Sequence, residues 1–266
     1  MFNQKIQDWF IKNKWEPHSY QLELFKKIDK INNALILAPT GSGKTLAGFL
    51  PSINEMIVNP KQGLNTLYIS PLKALANDIE RNLSKPIKEM GLNIRLETRT
   101  GDTKQSKKNY QKYNPPNFLM TTPESFILML SWESASIFFQ NLRYLIIDEI
   151  HTLVNDKRGD LLSLGISRLC HINKKIKKIG LSATVSEPNL ILNWLSSGNE
   201  LNVKSSIIKQ EWLFNPEIKL PKTKKQIPWS GHSGIFALDE ILKIIAENKT
   251  TIVFVNTRAQ SEILFQ

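Results

Sequence analysis

The chain has one cysteine, Cys170, which excludes an internal disulfide and a cysteine-based zinc cluster and suits a reducing compartment. Long hydrophobic runs are missing too. The runs present, such as Leu35 to Ala38 and Tyr144 to Ile147, are strand-sized, far short of the roughly 20 residues that span a bilayer, so no membrane segment is expected. Met1 to Asp8 is polar with a single lysine and leads into no apolar core, so no secretion signal is expected and the cytoplasm is the default. Acidic residues are scarce: 24 Asp and Glu face 35 Lys and Arg, a net +11 that attracts polyanions such as nucleic acid. Much of the excess is lysine scattered among asparagine and isoleucine, as in Ile172 to Lys178, so charge alone weighs equally for a nucleic-acid partner and for ordinary solvated surface.

With 41% hydrophobic residues over 266 positions, the chain can bury one or two cores. Short β-branched runs alternate with amphipathic stretches, the pattern of parallel strands joined by crossover helices. Strands are expected at Ala34–Leu37, Thr66–Ser70, Ile94–Thr98, Phe118–Thr121, Tyr144–Asp148, Ile176–Ser182 and Thr251–Val255. Helices are expected at Tyr20–Ile31, Lys44–Val58, Leu72–Gly91, Pro123–Ser131, Gly159–Cys170, Pro188–Leu195 and Leu238–Glu247. The strands are apolar on both faces, which calls for a doubly wound, mostly parallel α/β sheet with helices on each side. Between Gly198 and Ser233 the periodicity fades amid prolines and the basic run Lys222, Lys224 and Lys225, so three segments are expected: a first domain over 1–198, a linker over 199–232, and the opening of a second α/β unit over 233–266.

The most specific signal is Ala38-Pro39-Thr40-Gly41-Ser42-Gly43-Lys44-Thr45, set after a buried strand and before a helix as a P-loop requires. Its glycines let backbone N–H groups fold around phosphate oxygens, and the helix N-terminus adds positive potential. Lys44 reaches the β- and γ-phosphates in that scheme, and the Thr45 hydroxyl is a ligand of Mg²⁺. Ala38 stands where the usual leading glycine would be. A plain glycine turn does not require Gly-Lys-Thr in that order.

Strand Tyr144–Ile147 ends in Asp148-Glu149-Ile150-His151. Two acids at the edge of an apolar strand are poorly explained by packing, because unpaired buried charge is expensive. In the P-loop scheme Asp148 holds Mg²⁺, and Glu149 orients or deprotonates the attacking water. These acids, with the P-loop upstream and Ser182-Ala183-Thr184 downstream, resemble a DExH-box superfamily 2 helicase. Ser70-Pro71-Leu72-Lys73-Ala74-Leu75-Ala76-Asn77-Asp78, Arg99-Thr100-Gly101-Asp102-Thr103, Thr121-Thr122-Pro123-Glu124-Ser125 and Lys157-Arg158-Gly159 resemble the Lhr-type helicases in particular. Pro228-Trp229-Ser230-Gly231-His232 and Val253-Phe254-Val255-Asn256-Thr257-Arg258 resemble the ligase-associated DExH branch, whose members carry Trp where this chain has Ile150.

The resemblance implies a RecA-like fold, ATP and Mg²⁺ as ligands, and nucleic acid as partner, with DNA ahead of RNA, 3′-to-5′ movement and a role in repair. Trp15-Glu16-Pro17 followed by Gln21 resembles the adenine-reading element, and a side-chain amide can donate to and accept from adenine at once. In the family Ser182-Ala183-Thr184 links the nucleotide site to the nucleic-acid path, and a hydrogen bond with His151 is the expected link. Ser70, Lys73, Arg99, Thr100, Gly101, Thr122, Pro123 and Glu124 all follow strands, so they fall on one edge of the sheet, the ligand-binding edge of this fold. Thr122 and Pro123 would also make an ordinary helix start. Lys73 and Arg99 are expected to hold phosphates. The resemblance further implies a second motor half bearing arginine fingers, beyond Gln266 or on a separate chain; losing such a finger costs about 10³ to 10⁵ in rate. Two other readings stay open: a non-motor protein that binds ATP and nucleic acid, and an RNA-directed DExH protein.

Overall fold

The structure, a computed structural model, describes residues 2–183, 185–196, 204–210, 217–219 and 237–265. Thr184 and the Pro228-to-His232 block lie outside the described residues. The chain divides into two compact units, Met1–Trp212 and Leu213–Gln266.

In chain order the first unit runs α1 (Gln4–Lys12), α2 (Ser19–Lys27), β1 (Asn33–Leu37), α3 (Lys44–Val58), β2 (Thr66–Ile69), α4 (Lys73–Glu89), β3 (Leu96–Arg99), α5 (Gln105–Tyr113), β4 (Phe118–Thr121), α6 (Pro123–Leu130), α7 (Ala135–Phe139) and β5 (Tyr144–Ile147). It continues through a 3₁₀ turn (Ile150–Thr152), α8 (Lys157–Ile172), β6 (Lys177–Ser182), α9 (Pro188–Ser196) and β7 (Ser205–Lys209). The sheet order is β3-β4-β2-β5-β6-β1-β7, and every pairing is parallel.

Strand β1 shows why this sequence makes such a sheet. Its residues are all buried, and alternate side chains enter different cores. Ala34 and Ile36 join Phe10, Tyr20, Leu24, Phe49 and Leu50 on one face. Leu35 and Leu37 join Phe126, Leu162, Ile166 and Leu195 on the other. Each fully buried Leu or Ile stabilises the fold by about 1.5–3 kcal/mol, so a strand apolar on both sides holds two helical layers at once.

Besides the short α7, elements α1, α5 and β7 lie outside the sequence expectations for physical reasons. Helix α1 buries only Ile6, Trp9 and Phe10, a narrow stripe in a polar segment, and ties to α4 through Trp9 Nε1 donating to Glu89 Oε2 at 2.7 Å. Helix α5 buries only Gln111, so it has no apolar period to read. Strand β7 falls inside the expected 199–232 linker, yet it pairs with β1 from Asn33↔Ser205 to Leu37↔Lys209 and extends the sheet.

The second unit contributes α10 (Leu238–Glu247) and α11 (Arg258–Phe265) among its described residues. The expected strand Thr251–Val255 is corrected: those residues are irregular, with Ile252 and Phe254 exposed. A strand needs a partner ladder, and the described residues of this unit include no strand for it to pair with.

Candidate nucleotide and nucleic-acid site

Strand β1 delivers the chain into the glycine loop at the carboxyl edge of the sheet, where Ala38 N–H extends the ladder by donating to Ser182 O at 3.2 Å. Gly41 and Gly43 then take φ of 78° and 80°, left-handed values that favour glycine, and α3 starts at Lys44. Helix α2 props the loop from outside. The Tyr20 hydroxyl donates to Ser42 O at 2.8 Å, and Gln21 Nε2 donates to Gly43 O at 3.3 Å. Gln21 Oε1 accepts from His18 N–H at 2.9 Å, so both ends of this buried amide are anchored to backbone.

The expected acids face the loop. Lys44 is 6% exposed, and its Nζ lies 3.5 Å from Glu149 Oε1. Glu149 adopts φ 45°, ψ 40°, a left-handed conformation unusual for a residue with a side chain and of the kind that concentrates at functional sites. Glu149 Oε2 lies 3.5 Å from His151 Nδ1, which also shares a 2.8 Å hydrogen bond with Ser182 Oγ. The expected Ser182–His151 contact is therefore present.

Asp148 is buried at the tip of β5. Its Oδ1 accepts from Glu149 N–H at 2.9 Å, and its Oδ2 accepts from the Tyr68 hydroxyl. Burial pushes the Asp148 carboxyl above its ordinary value, while the Tyr68 and Glu149 donors pull the other way. Burial and the facing carboxylates push the Tyr68 phenol up, so it stays a donor. Tyr68 is the site residue that sequence reasoning missed; the available signal was one polar-tipped ring in a buried strand, two positions before Ser70.

Among the described residues no cluster of three or more His, Cys, Asp or Glu could hold a metal alone.

The loops after β2, β3 and β4 lie along the same edge, and the structure divides the expected contact residues. Lys73, Gly101 and Glu124 are exposed. Ser70, Thr100, Thr122 and Pro123 are buried, so their side chains shape the loops rather than reach outward. Thr122 occupies the N-cap of α6 with Pro123 at its first position, and its hydroxyl bonds Ser125 Oγ at 3.3 Å. Lys73 Nζ lies 2.7 Å from Asp102 Oδ1, an exposed pair that a polyanion can displace at little cost. Arg99 departs from expectation. Its guanidinium stacks over Trp132 at 4.7 Å, and Nη1 donates to Lys108 O at 2.7 Å and Gln111 Oε1 at 3.3 Å, which makes it a brace under α5 rather than an outward phosphate contact. Trp132 itself packs on Phe138 in the core.

An all-parallel sheet with a glycine loop after β1, and an acid pair on the central strand β5 opposite the loop lysine, defines a P-loop nucleotide-binding domain of the RecA-like type. The DEAD/DEAH box helicase profile matches residues 18–191, and the chain belongs to that family. It is 35% identical, over 97% of its length, to an ATP-dependent helicase Lhr-Core of Methanocaldococcus jannaschii, of which it spans 32%. It is 33% identical over 99% of its length to the Lhr helicase/probable uracil glycosylase of Mycolicibacterium smegmatis and spans 18% of that protein. A solved structure of Mycobacterium smegmatis helicase Lhr bound to ssDNA and AMP-PNP superposes with a TM-score of 0.79 at 33% identity, covering 99% of this chain and 35% of that one. The chain thus spans about a third or less of these relatives. No helix among the described residues is long and apolar enough to cross a membrane.

Proposed function

We propose that the chain is the nucleotide-binding part of a cytoplasmic, ATP-driven helicase or translocase acting on DNA in repair. The observation that carries this reading is the 3.5 Å approach of Lys44 Nζ to Glu149 Oε1, which sets the glycine loop and the acid strand around one space. In that space the loop N–H groups and the first turn of α3 receive phosphate oxygens, and Lys44 leaves Glu149 to neutralise the β- and γ-phosphates. Thr45 and Asp148 would hold Mg²⁺, which when bound supplies charge neutralisation at the phosphate oxygens. Glu149, released from Lys44, orients the attacking water and accepts its proton, and His151 passes the change in charge to Ser182. Beside Thr45 and Leu46 lies a cleft of about 240 Å³ lined by Trp9, Trp15, Ile79 and Pro86, suited to the adenosine end. Gln21 is held to His18 N–H and Gly43 O, and exchanging one of these anchors would let its amide read an adenine edge.

DNA is preferred to RNA because the relative solved at 33% identity is bound to ssDNA. The first RecA-like domain is proposed to run through β7, and Leu213–Gln266 to open a second one that supplies arginine fingers in the whole protein. ATP hydrolysis with and without single-stranded DNA tests the reading. These residues alone should turn ATP over slowly with little stimulation, and in the presence of the second RecA-like domain DNA-stimulated turnover that Glu149→Gln abolishes while nucleotide binding persists is the expected result. Nucleotide binding without stimulated turnover, even with a second RecA-like domain supplied, would sink the motor and leave the non-motor reading.

A further inference from the structure

Glu124 is an odd residue for a phosphate-binding edge, since a carboxylate there repels the ligand. The structure gives it another partner. Arg158, half-buried at the start of α8, divides its guanidinium between two loops: Nε donates to Glu124 Oε1 at 2.7 Å, and Nη2 donates to Pro71 O at 2.9 Å. Glu124 opens α6 after β4, and Pro71 sits in the loop after β2, so one side chain fixes the spacing of two of the three edge loops. Partial burial opposes the charged form of Glu124, but the Arg158 hydrogen bond and its neighbours hold the carboxyl below its ordinary value.

The other end of the connection is the acid strand. From Glu149 the chain passes through the 3₁₀ turn, where Leu153 N–H donates to Ile150 O at 3.0 Å, and on to Asp156, whose N–H donates to Leu153 O at 3.0 Å. Gly159 N–H closes on Asp156 O at 2.8 Å, and a Cβ at Gly159 would sit 1.8 Å from Leu153 O. The segment between the acids and Arg158 therefore has no slack, and Leu153 anchors it in the core. A change of partner at Glu149 or His151 moves a short rigid link whose far end is the Arg158 fork.

We propose that Arg158 is a positioning residue that couples the phosphate site to the nucleic-acid edge by clamping the Pro71 and Glu124 loops, along a route separate from the Ser182–His151 contact. This rests on the functional reading above and adds to it the side chain that carries the coupling. Coupling of this kind is reciprocal: whatever factor nucleotide adds to nucleic-acid affinity, nucleic acid adds to nucleotide affinity.

The test uses the full chain, Mg²⁺ with AMP-PNP, and an oligothymidylate of about 12 nucleotides, within the span a single-strand site covers. In the wild type, AMP-PNP is expected to tighten oligonucleotide binding by roughly 5- to 150-fold, the usual range of such couplings. Arg158→Gln brings that ratio to about 1 while leaving the AMP-PNP affinity measured alone, the thermal midpoint and the salt dependence of oligonucleotide binding as they were. Arg158→Lys keeps the charge without the fork and loses the coupling too. Glu124→Gln loses it as well, and the double variant is no worse than either single one, as expected for one shared contact. A ratio unchanged in Arg158→Gln overturns the proposal. So does a salt slope shallower by about 0.7, which would make Arg158 a direct phosphate contact. Nucleotide binding by a wild type whose ratio is already 1 defeats this inference alone; no nucleotide binding at all defeats the functional reading and this inference with it.

Discussion

Replacing Tyr68 by Phe removes one oxygen and little else, because the ring is fully buried and stacks on Phe49 with centroids 5.5 Å apart. What is lost is the donor to Asp148 Oδ2. A hydrogen bond to a charged group contributes about 1.5–3 kcal/mol net, and Asp148 is buried enough for that range to apply undiminished. The thermal midpoint at neutral pH should therefore fall by about 3–12 °C, from 2–4 °C per kcal/mol in a domain of this size. The sign with pH follows from the same contact. Tyr68 draws the folded-state value of Asp148 down from where burial would put it, so its contribution exists while the carboxyl is ionised. As pH falls through the raised folded value of Asp148, the wild type and Tyr68→Phe should converge. Differential scanning calorimetry at neutral pH and in the acid range reads both arms. Equal midpoints at neutral pH would refute the claim that Tyr68 supports the Asp148 charge.

Gly159→Ala places a Cβ against the Leu153 carbonyl and should cost more than about 4 kcal/mol, seen as a collapse of the denaturation midpoint or loss of soluble protein; a midpoint within 2 °C of wild type would contradict the packing described. Ser182→Ala removes the partner of His151 and should cost only about 0.5–1.5 kcal/mol in urea denaturation, while lowering nucleic-acid-stimulated hydrolysis well below basal-corrected wild type; unchanged stimulation would remove Ser182 from coupling.

The two-faced apolar strands and the order glycine loop, acid pair, Ser-Ala-Thr were legible because each is a local pattern with one structural outcome. Lys44, Asp148, Glu149, His151 and Ser182 meet as the motif order implies. What was illegible depended on partners distant in the chain. Strand β7 is two isoleucines among polar residues, and only the free edge of β1 makes it a strand. Arg99 read as a phosphate ligand because its block lies at the right edge, but Trp132, Lys108 and Gln111 claim its guanidinium first. Tyr68 and Arg158 act through contacts to Asp148 and Glu124 that no spacing rule encodes. The run Val253-Phe254-Val255 carried β-propensity, and the described residues of its unit include no strand to pair with it.

The central claim is that the glycine loop and the acid pair grip one magnesium triphosphate between them, and equilibrium binding of ATP with and without Mg²⁺ tests it most directly. Wild type should bind ATP more tightly with Mg²⁺ than without it, Lys44→Ala should not bind in either condition, and Asp148→Asn should lose the Mg²⁺ dependence while retaining weak binding. ATP affinity in Lys44→Ala equal to wild type would contradict the account.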